Sequence, residues 1–392
     1  MCARGGHPER AQIRIRRKQA EASDSTLELK AIDVILRVEQ AYWDLVAARQ
    51  DEQVEADSVA WAQEQLARNQ RMIDAGNLAP VELAASKAEL ERRRDTWFTA
   101  IGRVTTAENG LKLLLAGSRS APLWEEEVLP SEDQRRDAPI VEDLPRAVAG
   151  AIGRRPEVRL VELNREGNEI QKALSSAQVR PQVNLVAAYS NGGLGGSIST
   201  QVNPFSAANA ASFQRLNDLS ALAGLPALPP SSFGGAPDFL VGGYGTTLSN
   251  LFSGRYQSLQ VGLAMDLTFR NRTAEANLAQ TAIAGRRLKL ERAQVEQVIE
   301  AQVRNALQAL ETARQRITAS QSSVDAAKEK LDSEVRLFQT GESTNFLVLT
   351  RQNEYADSRR RRVVATLDFN RAAAVLEQAL GSVLERHGVV LK

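Results

Sequence analysis

The chain has 392 residues, a formal net charge of +1, and a composition that is 25% charged but only 5% aromatic. Its one cysteine (Cys2) and two histidines (His7 and His387) all lie near a terminus, so the sequence offers no intrachain disulfide, no histidine/cysteine zinc set and no histidine-based catalytic triad. The balanced charge gives no overall attraction to nucleic acid, and no apolar run is long enough for a membrane-spanning helix.

The opening "MCARGGHPERAQIRIRRKQA" lacks the apolar core of a signal peptide. A long helical hairpin is then expected over 1–116, turning at Gly76 in "IDAGNLAPVE". The arginine run at 92–94, like that at 359–362, reads as a solvated helix face. Residues 117–144 form an acidic, Pro-containing connector; a further helix is expected from about Leu144 to Gln178, ended by Pro181, so that 145–180 leads into the strands.

Residues 181–270 hold two amphipathic strands. In the first, Val183, Leu185, Ala187 and Tyr189 share one face, while Gln182 and Asn184 lie on the other with Ala188 and Ser190. Between the strands, 191–257 is rich in Gly, Ser, Ala, Asn and Pro and reads as a long exposed loop. In the second strand Leu259, Val261, Leu263, Met265, Leu267 and Phe269 alternate with Ser258, Gln260, Gly262, Ala264, Asp266 and Thr268. Such strands suit a transmembrane barrel, but a soluble hairpin packed on a helix alternates equally well, and alternation alone leaves both open. The glycine clusters at 192–196 and 242–245 do not lie between a strand and a helix and are not phosphate loops.

From Arg272 to Gln339 nothing interrupts a helical pattern, in which Val303, Leu310, Ile317, Val324, Leu331 and Phe338 recur every seventh residue. At 1.5 Å per residue such a helix is roughly 100 Å long. Gly341 ends it, Ser343, Thr344 or Asn345 can cap a return helix to about Leu384, and the second hairpin occupies 271–386. Gly76 and Gly341 are 265 residues apart, since 341 − 76 = 265. The same shift lays Val38, Leu45, Val59 and Leu66 on Val303, Leu310, Val324 and Leu331 without a gap. Roughly a quarter of positions from 38 to 115 agree, the mark of an internal duplication.

Duplicated helical hairpins with inserted strand pairs resemble the TolC family of outer-membrane efflux channels. The resemblance is carried by "AYWDLVAARQ" (41–50), "NQRMIDAGNLAPVELAASKAELE" (69–91), "RPQVNLVAAYSNGG" (180–193), "VGLAMDLTFRNR" (261–272) and "VRLFQTGESTNFLVLTRQNEYADSR" (335–359). It implies a mainly α fold with a transmembrane β part: a homotrimer whose helices form one periplasmic tunnel and whose strands form one shared barrel. The apolar strand faces above would then meet outer-membrane lipid, and the faces carrying Gln182, Asn184, Ser258, Gln260, Asp266 and Thr268 would meet a watery lumen.

The resemblance also implies a passive exit duct, not an enzyme and without cofactor or metal, served by an inner-membrane pump and a periplasmic adapter. The adapter would dock on the hairpin tips around Arg71, Gly76, Arg336 and Gly341. Glu82 fits the family's polar tunnel constriction, and equally a first-turn carboxylate favoured by the helix dipole. The second hairpin departs from the pattern, with Leu347 and Thr350 where other members carry acids. Because 269 − 265 = 4, the first repeat's second strand would end near residue 4; a longer native protein with an upstream signal sequence is therefore expected. A soluble periplasmic helical-hairpin scaffold without a pore is the alternative, and catalysis by carboxylates alone is a third reading.

Overall fold

The computed structural model describes residues 8–131, 137–141, 143–197, 204–228, 237–254, 256–266 and 271–390. The chain divides into two compact units, one of residues 1–177 with 275–392 and one of residues 178–274.

The first unit is helical. Helices α1 (Pro8–Asp74) and α2 (Val81–Leu115) form the first hairpin, and α7 (Arg272–Thr340) and α8 (Asn345–Leu380) the second. Both glycine turns are the same Schellman motif. Gly76 (φ 80°) donates to Ile73 O and Asn77 to Met72 O, while Gly341 (φ 81°) donates to Phe338 O and Glu342 to Leu337 O. The left-handed φ is what each turn needs, because a Cβ at either glycine would meet no neighbouring atom within 4 Å. Of the proposed caps, Thr344 holds the place: its Oγ1 accepts from Leu347 N at 3.3 Å.

The duplication persists in three dimensions. Leu45 and Leu310 are both buried, as are Val59 and Val324, Ala100 and Ala365, and Leu111 and Leu376. Across the first hairpin Arg103 Nη1 pairs with Asp51 Oδ2 at 2.6 Å; the positions 265 residues later hold Asp368 and Arg316, also paired at 2.6 Å. The ion pair has kept its place and reversed its polarity, which requires the same helix-to-helix register in both hairpins.

The expected single helix over 144–178 is in fact two, α3 (Leu144–Arg154) and α4 (Pro156–Gln178). Pro156 pushes the preceding Arg155 into extended backbone (φ −72°, ψ 128°), and proline then starts α4 in the position it tolerates. The break lets Val148 and Ala151 of α3 and Val158 of α4 share one core with Ile299, Val303, Ala306 and Leu310 of α7 and Phe369, Ala373 and Leu376 of α8. The return helix stops at Leu380, earlier than Leu384, where Gly381 takes φ 70°; a short α9 (Val383–Arg386) follows. Helix α1 also packs along α8, with Arg359–Asp57 at 2.7 Å and Trp61 against Tyr355 at 5.3 Å between ring centroids.

The second unit contains the antiparallel strands β1 (Gln182–Asn191) and β2 (Gln257–Asp266). The long exposed loop expected between them contains helices: α5 (Pro204–Leu222), a 3-10 turn at Asp238–Leu240 and α6 (Tyr244–Phe252). Composition averaged over the whole insert conceals its Ala/Leu-rich stretch, whose alanines and leucines have high helix propensity. Beyond the strand ends Asn250 Nδ2 donates to Leu194 O and Phe239 O at 2.7 and 2.8 Å, tying α6 to both sides of the insert. Gly193 is required there, since a Cβ would lie 2.3 Å from Thr247 O.

Candidate functional site

At the hairpin tips Arg71 and Arg336 are exposed, as are Val81 (71%) and Phe346 (73%). Helical termini cannot bury these side chains within one chain, so each tip offers a guanidinium beside apolar surface.

Just inside the tips lies a buried polar cluster that the sequence did not disclose. Asn345 is 2% exposed, and its Oδ1 accepts from Gln65 Nε2 (3.1 Å) and Asn69 Nδ2 (2.8 Å) on α1. Its Nδ2 donates to Glu82 Oε2 (3.0 Å) and Ser86 Oγ (3.2 Å) on α2, and Asn69 also donates to Ser86 Oγ at 2.7 Å. One amide at the start of α8 thus joins both helices of the first hairpin. Glu82, expected to be solvated or to line a constriction, is half-buried and bound to Asn345 in the single chain.

Shifting Asn69 and Ser86 by 265 gives Glu334 and Arg351, which approach at 3.6 Å, so the duplicated positions carry a neutral pair in one hairpin and an ion pair in the other. Asn345 itself has no counterpart, since 345 − 265 = 80 and that residue is Pro80. It looked like a cap in the sequence, and only the contact of the two hairpins shows where its amide points.

Asn345→Leu is expected to expose this dependence. Asn69 and Gln65 each keep one partner, so each of their two lost bonds costs about its net 0.5–1.5 kcal/mol rather than the full penalty of an orphaned donor, about 1–3 kcal/mol together. Amide hydrogen exchange in residues 65–69 and 345–349 should accelerate by about one to two powers of ten. Unchanged exchange there would show that the cluster does not fasten the hairpins.

Further from the tips, one member of the 92–94 run corrects the expectation of a solvated face. Arg93 is 2% exposed, donating from Nε to Glu89 Oε1 (2.8 Å) and from Nη1 to Ser58 O (3.0 Å). Burial opposes ionisation of Glu89, but hydrogen bonds from Arg92 and Arg93 outweigh it and hold the carboxyl at about 2. Its folded value lies below the ordinary 4.5, so the stabilisation is complete above about pH 4.5 and is lost as pH falls towards 2. Wild type should therefore lose urea resistance across that window more steeply than Glu89→Gln; parallel profiles would assign the loss to other groups. On the facing helices Glu55 lies against Arg360 at 3.0 Å, and burial raises its carboxyl.

His387 Nε2 lies 2.9 Å from Glu39 Oε1, and Arg386 pairs with Glu377. Glu39, Glu377 and His387 bring potential ligand atoms within 4.8 Å of one another, a mixed set that counting cysteines and histidines does not reveal. The Arg386–Glu377 ion pair and the His387–Glu39 contact clasp the end of α9 onto α8 and α1.

In the second unit the register pairs Val183 with Met265, Leu185 with Leu263, Ala187 with Val261 and Tyr189 with Leu259. All eight side chains share one face, as read from the sequence, and its larger members are 56–70% exposed. The other face sets Asn184 against Ala264, Ala188 against Gln260 and Ser190 against Ser258, with Val186 opposite Gly262 the one large apolar interruption. Gln182 and Asp266 are paired through the backbone at the far end. Leu267, Thr268 and Phe269 lie outside the described residues. A two-stranded ribbon with a wholly uncovered apolar face is marginal in water. Among the described residues no helix is long and apolar enough to cross a membrane.

The family model described as outer membrane efflux protein matches residues 7–117 and 237–382. Comparison with curated proteins found no significant match. Among solved structures, the outer membrane protein VceC of Vibrio cholerae is similar at TM-score 0.70 and 14% identity, over 95% of this chain and 75% of that one. The CmeC outer membrane channel of Campylobacter jejuni gives TM-score 0.68 and 15% identity over 95% and 67%. The open-state MtrE outer membrane channel of Neisseria gonorrhoeae gives 0.63 and 17% over 95% and 71%.

Proposed function

From the premise that this chain belongs to the outer membrane efflux protein family, we propose that it is one subunit of a trimeric outer-membrane exit duct. The observation that carries the reading is the strand ribbon, whose eight paired side chains present one apolar face and whose reverse is mostly small and polar. In a bilayer every backbone donor and acceptor must be paired, so such a ribbon is stable there only if further strands close it into a barrel. Copies of the same chain supply them, with the apolar faces towards lipid and Asn184, Ser258 and Gln260 towards the lumen.

Membership in the family favours this duct over a soluble scaffold. Conduction is passive: the solute arrives from an inner-membrane pump through a periplasmic adapter, and no side chain performs chemistry on it. The adapter is read as docking on the tips, where Arg71, Arg336, Val81 and Phe346 are exposed beside Gly76 and Gly341. Glu82 is read as narrowing the tunnel while bound by Asn345.

The test is reconstitution. Protein extracted from the outer-membrane fraction should require detergent, have the mass of three chains, and give stepwise ohmic conductance in planar bilayers. A detergent-independent monomer without conductance would overturn the proposal.

A further inference from the structure

The insert between the strands contains a helix that neither the sequence reading nor the family match accounts for. Helix α5 (Pro204–Leu222) lies in the segment 118–236 that the family model leaves unmatched. It exposes Leu216 (48%), Leu219 (62%) and Leu222 (86%). A Schellman turn at Gly224 (φ 68°) reverses the chain, and Leu228 N donates to Asn217 Oδ1 at 2.8 Å, so exposed Leu225 and Leu228 return beside the helix. The hydroxyl of Ser220 does not interrupt this surface, because it donates to Leu216 O at 2.8 Å.

The leucine spacing identifies what covers them. Steps of three residues turn the leucines by about 60° backwards each time, spreading them over a wide arc rather than along a straight seam, and Arg215 falls in the same arc between Leu219 and Leu222 with a stem long enough to carry its charge out of it. A helix of another copy would need the three-and-four alternation of a coiled-coil seam. A broad arc matches a flat apolar slab, and Arg215, one of the two charges on α5, is placed to reach the headgroup level from it. The helix is also inserted directly between the two strands whose apolar faces are read as meeting lipid.

We propose that α5 is an interfacial helix, lying along the membrane surface with Leu216, Leu219 and Leu222 sunk in the acyl boundary and Gln214 and Ala221 towards water. This rests on the barrel reading above, and the experiment separates the two.

The full chain, with Cys2 replaced by serine, is given single cysteines at 214, 216, 219, 221, 222 and, on β2, 263. Each is nitroxide-labelled and reconstituted in phosphatidylethanolamine/phosphatidylglycerol vesicles. Collision with oxygen, which partitions into lipid, is compared with collision with a water-soluble nickel chelate. Oxygen should dominate at 216, 219, 222 and 263, and nickel at 214 and 221, with the ratio changing several-fold between the two sets. If 263 favours oxygen while the leucine positions favour nickel, or are shielded from both as in a seam between copies, this inference fails and the barrel stands. Nickel dominance at 263 as well would sink the barrel reading and the interfacial helix together.

Discussion

Leu263→Arg is expected to abolish assembly of the channel while leaving the helical unit folded. Leu263 is paired with Leu185 near the middle of the ribbon and is 70% exposed, so in the proposed barrel its side chain sits in hydrocarbon. An arginine at that depth costs about 2–4 kcal/mol per subunit, and three subunits bear it together. Outer-membrane trimer should fall by well over tenfold against wild type, measured as the detergent-extracted, heat-modifiable species. Gln260→Arg, on the opposite face beside Ala188, should assemble nearly as wild type because a wet lumen accepts the charge. Reversal of the two phenotypes would mean that the faces are assigned the wrong way round.

The second large effect is expected at Arg93. Replacement by alanine removes a guanidinium that is 2% exposed and holds both Glu89 and the carbonyl of Ser58 across the first hairpin. Breaking a buried pair by deleting one partner costs about 3–5 kcal/mol; here Arg92 still holds Glu89 at 2.6 Å, which places the loss near the lower limit, about 3 kcal/mol. Arg93→Met breaks the same pair but restores much of the buried aliphatic stem, so it should recover only about 1–2 kcal/mol of that loss and remain less stable than wild type. Urea midpoints followed by helical circular dichroism would measure both. If methionine proves as damaging as alanine, the charge itself supports the hairpin, and the packing of the aliphatic stem does not account for the effect.

These two sites differ in how far the sequence foretold them. Strand faces follow from a period of two, and the alternation from Ser258 to Met265 already fixed which side chains stand together. The heptads and the shared turn glycines likewise gave both hairpins and their duplication, because a seven-residue apolar repeat and a left-handed turn are local properties. Local rules also held the signal for two misread elements. Pro156 marks the break between α3 and α4 once its effect on Arg155 is weighed, and the Ala/Leu-rich stretch of α5 is helical by propensity although its surroundings are rich in glycine and proline.

What the chain could not disclose by itself is which polar side chains turn inward. Arg92, Arg93 and Arg94 are consecutive and chemically identical, and only the approach of α1 decides that Arg93 is enclosed while Arg92 is exposed and Arg94 half-exposed. Asn345 reads as a helix cap, and becomes the joint of a buried cluster because α8 begins where Gln65, Asn69, Glu82 and Ser86 converge. The polarity-reversed pairs Arg103–Asp51 and Asp368–Arg316 show the same division from the other side. Sequence alone determined that the repeats align, since periodicity is written in neighbouring residues. Only tertiary structure decided which aligned positions touch, because hydrogen bonds and ion pairs between helices depend on distances that no local pattern sets.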